Sequence, residues 1–215
     1  MNKRVLATLV ICFIIFLFAV IGFVSLADEV HEGDTLAFDQ SLLRGINEHA
    51  SPVLNQFFLI VTQLGGPVGV VVITAAWLAV LIRRKNYKPA TILAAAVAGA
   101  ALINLVLKSL FERARPDLWQ KLVTETSYSF PSGHAMMSSI LAFAAIAIFW
   151  RTKYRIPVTS AALLFMLLIG FSRLYLGVHY PTDVLGGWLV SAAWITIVVS
   201  AVDGWIYRRS RSLSR

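Results

Sequence analysis

Charged residues are scarce in this chain. Lys, Arg, Asp and Glu together make up 14% of its 215 residues, whereas hydrophobic residues make up 58%. The mean hydropathy of +0.75 lies far above that of a soluble domain, so the composition excludes an ordinary water-soluble globular protein. Because the apolar residues form six long runs joined by short connections, we predict a single all-α polytopic membrane domain covering 1–215, with no room for a soluble domain.

Cysteine is almost absent, since Cys12 is the only one. A single cysteine cannot form an intramolecular disulfide, and Cys12 lies inside an apolar run, where a lipid-facing or packed position is expected. The cysteine content therefore gives no information about the redox compartment.

The six apolar runs predict a bundle of six transmembrane helices. The first run has 22 residues, which favours a retained span over a signal peptide, whose apolar region has about 7–15 residues. In the second run, Gly65, Gly66 and Pro67 predict a kink. The third run is rich in Ala and contains Gly99, which predicts close contact with another helix. The predicted spans are 5–26, 57–82, 89–107, 134–150, 156–171 and 184–206.

The polar connection between the first two spans contains a helical pattern. Apolar residues recur there at helical spacing, and polar residues, Asp39 and Arg44 among them, lie on the opposite side. The apolar residues are Leu36, Phe38, Leu42, Leu43 and Ile46. This pattern predicts a short amphipathic helix in the membrane interface, and a helix packed on the rim of the bundle fits it equally well.

The distribution of charge predicts the orientation in the membrane. With six spans both termini share one side, and that side carries 13 of the 19 basic residues, while the other side carries 10 of the 11 acidic residues. The positive-inside rule then predicts that both termini lie in the cytoplasm. The membrane that we expect to hold the protein is the inner (plasma) membrane of the cell. Spread over four segments, these basic residues do not form a stripe, which argues against a nucleic-acid partner. They are Lys3, Arg4, Arg83, Arg84, Lys85, Lys88, Arg151, Lys153, Arg155, Arg208, Arg209, Arg211 and Arg215.

Three cations are predicted at the extracytoplasmic membrane edge, namely Lys108, Arg115 and Arg173. Burying a cation in a membrane is unfavourable, so three of them without matched carboxylates indicate an anionic ligand. The guanidinium fork suits phosphate oxygens. Ser132 and Gly133 directly precede the fourth span, where a Ser N-cap and free backbone N–H groups form an anion site.

Two histidines belong to the same predicted site. His179 and Asp183 are four residues apart at the start of the sixth span, so one helical turn would place the carboxylate beside the imidazole and fix its tautomer. His134, at the start of the fourth span, is the second candidate for proton transfer. The neighbouring charged residues are interpreted as solvated loop residues or, at most, headgroup contacts; they are Glu112, Arg113, Asp117 and Glu125.

These stretches resemble a known family. Residues 108–116 contain the pattern K-x6-R-P, residues 131–134 read P-S-G-H, and residues 172–183 contain S-R-x5-H-x3-D. Together they match the three-part signature of the type 2 phosphatidic acid phosphatase superfamily, at the expected spacing, and the six-span layout extends the resemblance over almost the whole chain.

The resemblance implies a role for each residue of the signature. It implies that His179 is a nucleophile forming a phosphohistidine, that Asp183 orients it, and that His134 acts as general acid and then as general base. The implied phosphate-binding residues are Lys108, Arg115, Ser132, Gly133 and Arg173. It also implies that no metal and no other cofactor is needed.

The resemblance narrows the substrate to a membrane lipid phosphate. Small bacterial members of the family act on phosphatidylglycerophosphate, undecaprenyl pyrophosphate and phosphatidic acid. We therefore expect a lipid phosphatase acting on phosphatidylglycerophosphate and/or undecaprenyl pyrophosphate, with phosphatidic acid as a further candidate. A lipid phosphotransferase with the same site and a lipid-phosphate transporter remain as alternatives, and the sequence does not determine the oligomeric state.

Overall fold

The computed structural model describes the backbone of residues 3–212 and the side chains of residues 6–205. In this part of the chain all regular secondary structure is helical, as predicted. Its eight helices are α1 (Lys3–Glu32), α2 (Leu36–Asn47), α3 (Pro52–Gly65), α4 (Pro67–Arg83), α5 (Tyr87–Phe111), α6 (Gly133–Phe149), α7 (Arg155–Tyr175) and α8 (Pro181–Ser212).

Four helices, α1, α5, α7 and α8, are each long and apolar enough to cross a membrane, and α3 with α4 makes a fifth, bent span. The bend is 51° and falls at Gly66, so the predicted kink is confirmed. The remaining predicted span corresponds to α6, a shorter apolar helix of 17 residues. A total of six spans therefore requires that α6 also crosses the membrane, which stays a prediction.

Helix α6 lies at the centre of the bundle and packs against α5, α7 and α8. Its buried positions include many small side chains, among them Ala135, Ser138, Ser139, Ala142 and Ala144. Small residues let neighbouring helices approach closely where lipid supplies no hydrophobic driving force. The short central helix is thereby enclosed by the longer ones.

The contact between α5 and α8 shows the same principle. A Cβ placed on Gly99 would lie 2.1 Å from the ring of Trp194, so only glycine leaves room for the indole. The indole Nε1 in turn donates a hydrogen bond to the carbonyl oxygen of Ala96 at 3.0 Å. The close helix contact predicted from the Ala- and Gly-rich third run is confirmed.

Helix α1 continues beyond the predicted end of the first span. It reaches Glu32 and includes acidic residues that the sequence placed in a polar connection. The extension is explained by Ala27 and Val30, which are buried against Phe130 and keep this turn on the bundle.

Helix α2 covers the stretch in which the helical pattern was found, but one of its residues faces the other way. Asp39 was expected on the outward polar side, whereas it is completely buried, as is Leu43. Leu36 and Phe38 are exposed instead. The helix packs on α7 and α8, and Asp39 turns inward because its carboxylate has buried partners there, described below.

The chain direction brings four helix ends together. The carboxyl ends of α5 and α7 meet the amino ends of α6 and α8, and the 112–132 segment between α5 and α6 crosses this end of the bundle. The exposed basic segments 83–88 and 151–155 lie at the opposite ends of α5, α6 and α7. The side chains of the other basic residues used to predict orientation, Lys3, Arg4, Arg208, Arg209, Arg211 and Arg215, fall outside those that the structure describes.

Candidate active site

His179 and Asp183 form a buried pair where α8 begins. Nδ1 of His179 lies 3.3 Å from Oδ2 of Asp183, and the two side chains are 1% and 0% exposed. His179 precedes the helix, which starts at Pro181, so the pair is not one regular helical turn. The carboxylate instead caps the turn, because Oδ2 also accepts the backbone N–H of Tyr180 at 2.8 Å.

The neighbours of His179 define its tautomer. Nη1 of Arg115 lies 3.0 Å from Nε2, and since a guanidinium only donates, Nε2 must accept. The proton of the neutral ring therefore sits on Nδ1, which faces Asp183. Ser129 donates its hydroxyl to Oδ2 of Asp183 at 2.5 Å and lies 3.4 Å from Nδ1. The free lone pair of the ring, on Nε2, consequently points at the cations rather than at the carboxylate.

Lys108 and Arg115 are tied to the same stretch of the loop. Lys108 donates to Ser127 Oγ at 3.0 Å and to the carbonyl oxygen of Tyr128. Arg115 donates to Ser127 Oγ at 3.1 Å and, through Nε, to the Ser127 carbonyl oxygen at 2.7 Å. It also donates to the Val178 carbonyl oxygen at 2.8 Å. Arg115 is thereby held against His179, and Lys108 lies within electrostatic range of Arg115.

Arg173 is 1% exposed and completes the cation cluster. Its Nη1 donates to Thr62 Oγ1 at 2.6 Å, and its Nη2 forms a salt bridge with Glu125. The other carboxylate oxygen of Glu125 lies 3.7 Å from Arg115. The expectation that the cations lack matched carboxylates is therefore wrong, because the long loop brings Glu125 back between them. Within the described chain, Nε of Arg173 is buried without a hydrogen-bond partner.

The P-S-G-H stretch forms the amino end of α6. Ser132 is the N-cap, and its Oγ accepts the N–H of Ala135 at 3.4 Å. Its backbone N–H donates to the carbonyl oxygen of Asp183 at 2.9 Å, which joins the starts of α6 and α8. Gly133 packs beside Asn104, where a Cβ would lie 3.1 Å from the amide oxygen.

His134 lies on the first turn of α6, facing the bend between α3 and α4. A Cβ on Gly66 would lie 3.3 Å from its Nε2. His134 is within electrostatic range of Arg173, His179, Arg115 and Lys108. The structure thus brings together all eight residues that the sequence assigned to the site.

The site stabilises the neutral form of the His179 imidazole. Burial lowers the pKa of His179 to about 3, and the charges of Arg115 and Arg173 act in the same direction, against the hydrogen bond and charge of Asp183. Desolvation of the charged imidazole explains the direction. His179 is therefore neutral at physiological pH, and one of its ring nitrogens keeps a free lone pair.

The charged loop residues that were predicted to be solvated, or at most to contact headgroups, divide into two groups. Arg113 and Glu125 were expected in solvent, and this is wrong: Arg113 lies 2.5 Å from Asp183 and 2.8 Å from Asp39, and Glu125 pairs with the cations. Asp117 is exposed as expected, with its side chain 95% accessible. Glu112 is also exposed and accepts the hydroxyl of Tyr128 at 3.0 Å.

Several supporting residues were missed by sequence reasoning. Asn104 donates to the carbonyl oxygen of Pro131 at 3.2 Å, and Thr62 holds Arg173. Both are polar residues inside apolar runs, which is a recognisable signal of a functional position. Ser129 and Asp39 carry no such signal, because they lie in polar segments.

Comparison with known proteins gives the same family from sequence and from structure. The PAP2 superfamily model matches residues 89–207, which include α6, α7 and most of α5 and α8. The chain is 35% identical over 175 residues to phosphatidylglycerophosphatase B of Bacillus subtilis, covering 77% of this chain and 83% of that protein. It is 26% identical over 173 residues to undecaprenyl-diphosphatase of Sulfolobus acidocaldarius, covering 78% and 80% respectively.

A solved membrane protein has a similar fold. It is described as the first transmembrane PAP2 type phosphatidylglycerolphosphate phosphatase from Bacillus subtilis, and its crystal structure matches with a TM-score of 0.74 and 30% identity over 89% of this chain and 96% of that one. Because the family model matches more than half of this chain and the helical fold is shared with a solved member, the chain belongs to the PAP2 superfamily and is a phosphatase of that family.

Proposed function

We propose that this protein hydrolyses the phosphate ester or diphosphate of a membrane lipid through a phosphohistidine intermediate. The observation that carries the proposal is the environment of His179. Its Nε2 faces Arg115 at 3.0 Å while its Nδ1 faces Asp183 at 3.3 Å. A neutral imidazole oriented by a carboxylate, with its free lone pair directed into a cation cluster, is an activated nucleophile for a phosphoryl group.

The cations supply the phosphate site. Glu125 shows where an anion is stabilised, since its carboxylate lies between Arg115 and Arg173. A substrate phosphate displaces this carboxylate and receives donors from Lys108, Arg115 and Arg173. The amino end of α6 adds the Ser132 side chain, the Gly133 backbone N–H and the positive end of a helix dipole.

The reaction proceeds in two displacements. In the first, Nε2 of His179 forms a bond to phosphorus, the bond from phosphorus to the leaving oxygen breaks, and that oxygen takes a proton from His134, which acts as the general acid. In the second, His134 takes a proton from water, the water oxygen bonds to phosphorus, and the N–P bond breaks to release orthophosphate. The phosphorylated imidazole carries positive charge, which Asp183 stabilises.

We infer that the substrate is phosphatidylglycerophosphate and/or undecaprenyl pyrophosphate, with phosphatidic acid as a third candidate. The names of the two relatives support the first two. The site lies at one end of an apolar helical bundle, with the exposed apolar side chains of Leu110 and Leu122 nearby in sequence. A lipid whose phosphate lies at headgroup depth fits this position, and the basic segments at the opposite end support an extracytoplasmic site with cytoplasmic termini.

A phosphate-release assay tests the proposal. The purified protein in detergent with EDTA is given phosphatidylglycerophosphate, undecaprenyl pyrophosphate, phosphatidic acid and a soluble phosphomonoester, alongside His179→Ala. We expect metal-independent release from at least one lipid and loss of release in the variant. Wild-type rates in His179→Ala would refute the mechanism. Phosphorylation of an added acceptor lipid would indicate a phosphotransferase, and lipid binding without turnover would indicate a transporter.

A further inference from the structure

A second buried ion network lies directly behind the catalytic pair. Nη1 of Arg113 donates to Oδ1 of Asp183 at 2.5 Å, and Nη2 donates to Oδ2 of Asp39 at 2.8 Å. Both carboxylates are 0% exposed, and the Arg113 side chain is 11% exposed. One guanidinium therefore links a carboxylate of the active site to a carboxylate of α2.

Helix α2 is fixed to the start of α8 by the same group of residues. Oδ1 of Asp39 accepts the backbone N–H of Thr182 at 3.1 Å, and Oδ2 accepts its hydroxyl at 2.6 Å. The hydroxyl oxygen in turn accepts Nη1 of Arg113 at 2.8 Å. The guanidinium carbon lies 4.3 Å from the centre of the Tyr180 ring. Arg113 is thus held by hydrogen bonds in its plane and by an aromatic ring on its face.

This arrangement fixes the orientation of the Asp183 carboxylate towards His179. Arg113 holds Oδ1, and Oδ2 is left for Nδ1 of His179 and the hydroxyl of Ser129. Turning the carboxylate out of its present plane would weaken both sets of bonds. The negative charge of Asp39 partly offsets the charge of Arg113, so that Asp183 keeps the charge needed to stabilise a phosphorylated imidazole.

On the basis of the proposed function, we propose that Asp39 and Arg113 are positioning residues that hold the Asp183 carboxylate against His179, which makes α2 part of the catalytic apparatus. Neither residue contacts Lys108, Arg115 or Arg173 in the described structure, so neither holds the phosphate. Their loss therefore affects the chemical steps rather than the binding of phosphate.

The test compares turnover with phosphate binding in the purified full-length protein. Arg113→Gln is expected to lower kcat by about 10- to 100-fold, as for other residues that orient a catalytic group. The KM and the inhibition constant of orthophosphate are expected to stay within about twofold, since a change confined to kcat indicates an interaction made in the transition state. Arg113→Lys keeps the charge and should recover part of the loss.

The role of α2 is tested by Asp39→Asn, which keeps the size of the side chain. We expect a smaller loss of kcat than for Arg113→Gln, because the bond between Arg113 and Asp183 remains. If Asp39 acts through Arg113, Asp39→Asn lowers kcat little further in a protein that already carries Arg113→Gln. Arg44→Gln is the matched control, because it removes a charge from an exposed position of the same helix and should leave kcat unchanged.

The outcomes separate this proposal from the proposed function. Turnover by His179→Ala would contradict the phosphohistidine mechanism itself. If His179→Ala is inactive while Arg113→Gln and Asp39→Asn keep wild-type kcat, the positioning role is wrong. It is also wrong if both variants lose phosphate affinity and thermal stability in proportion to kcat, since this would indicate a structural role only. Should Arg113→Gln not fold, Arg113→Lys and Asp39→Asn carry the same comparison.

Discussion

Replacing Glu125 by Gln should tighten the binding of orthophosphate. The Glu125 carboxylate forms a salt bridge with Arg173 and lies 3.7 Å from Arg115, so it occupies a position where a phosphate would be bound. Any phosphate that enters must first break these interactions. Glutamine keeps the size of the side chain but removes the competing charge.

The magnitude follows from the contacts that are lost. A hydrogen bond to a charged group contributes about 1.5–3 kcal/mol, and about 1.4 kcal/mol corresponds to a tenfold change in an equilibrium constant. The Arg173 side chain is 1% exposed, but that of Glu125 is 24% exposed, so water competes for the carboxylate and the lower end of the range applies. We expect an inhibition constant for orthophosphate about tenfold lower than in the wild type.

Competitive inhibition of lipid hydrolysis by orthophosphate measures this constant directly. Asp117→Asn is the matched control, because it removes the same charge from the same loop at a side chain that is 95% exposed. An unchanged constant in Glu125→Gln would show that Glu125 does not compete with phosphate. A higher constant would show that it positions the arginines instead, and either result would refute the reasoning.

Three further predictions concern packing, pH and the catalytic pair. A Cβ on Gly187 would lie 2.9 Å from a backbone oxygen at the start of α6, so Gly187→Ala should destabilise the protein by about 1–3 kcal/mol. A Cβ on Gly204 would have nothing within 4 Å, so Gly204→Ala should be neutral or stabilising. Thermal unfolding of both variants in detergent measures the difference. Burial lowers the pKa of His179 from 6.5 to about 3, so on acidification His179 binds a proton at a higher pH in the unfolded state than in the folded state. The free energy of unfolding should therefore fall as the pH drops from 6.5 towards 3. A flatter pH profile of thermal unfolding in His179→Gln would support this, and an unchanged one would contradict it. Ser129→Ala removes a hydrogen bond to Asp183 and should lower kcat about tenfold at constant KM.

The helices were predictable because their apolar runs are long and uninterrupted. The bend at Gly66 was also predictable, since consecutive glycines followed by proline cannot continue a regular helix. The end of α1 was not predictable, because Ala27 and Val30 keep the helix on the bundle by packing against Phe130, a contact between distant parts of the chain.

The residues of the site were predictable where spacing or a recognisable motif placed them together. His179 and Asp183 are close in sequence, although they meet through a capped turn before α8 rather than through one helical turn. Ser132 caps α6 because it precedes an apolar run. Asp39 was placed wrongly because helical periodicity assigns a carboxylate to the polar side, whereas a buried arginine draws it inward.

Glu125 was placed wrongly for a related reason. It lies in the 112–132 segment, which has no regular secondary structure and therefore no periodicity from which to infer its neighbours. Its contact with Arg173 arises only when the loop folds back over the end of the bundle. Charged residues in such a loop cannot be assigned to solvent or to the site from local pattern alone.

Capture of the covalent intermediate tests the central claim most directly. The wild-type protein is mixed with a lipid carrying a radiolabelled terminal phosphate, stopped within one turnover in alkali, digested and analysed for the labelled peptide. We predict label on His179 in the wild type and no label in His179→Ala, which lacks the nucleophile. Label on another residue, or wild-type turnover with no labelled protein, would contradict the mechanism.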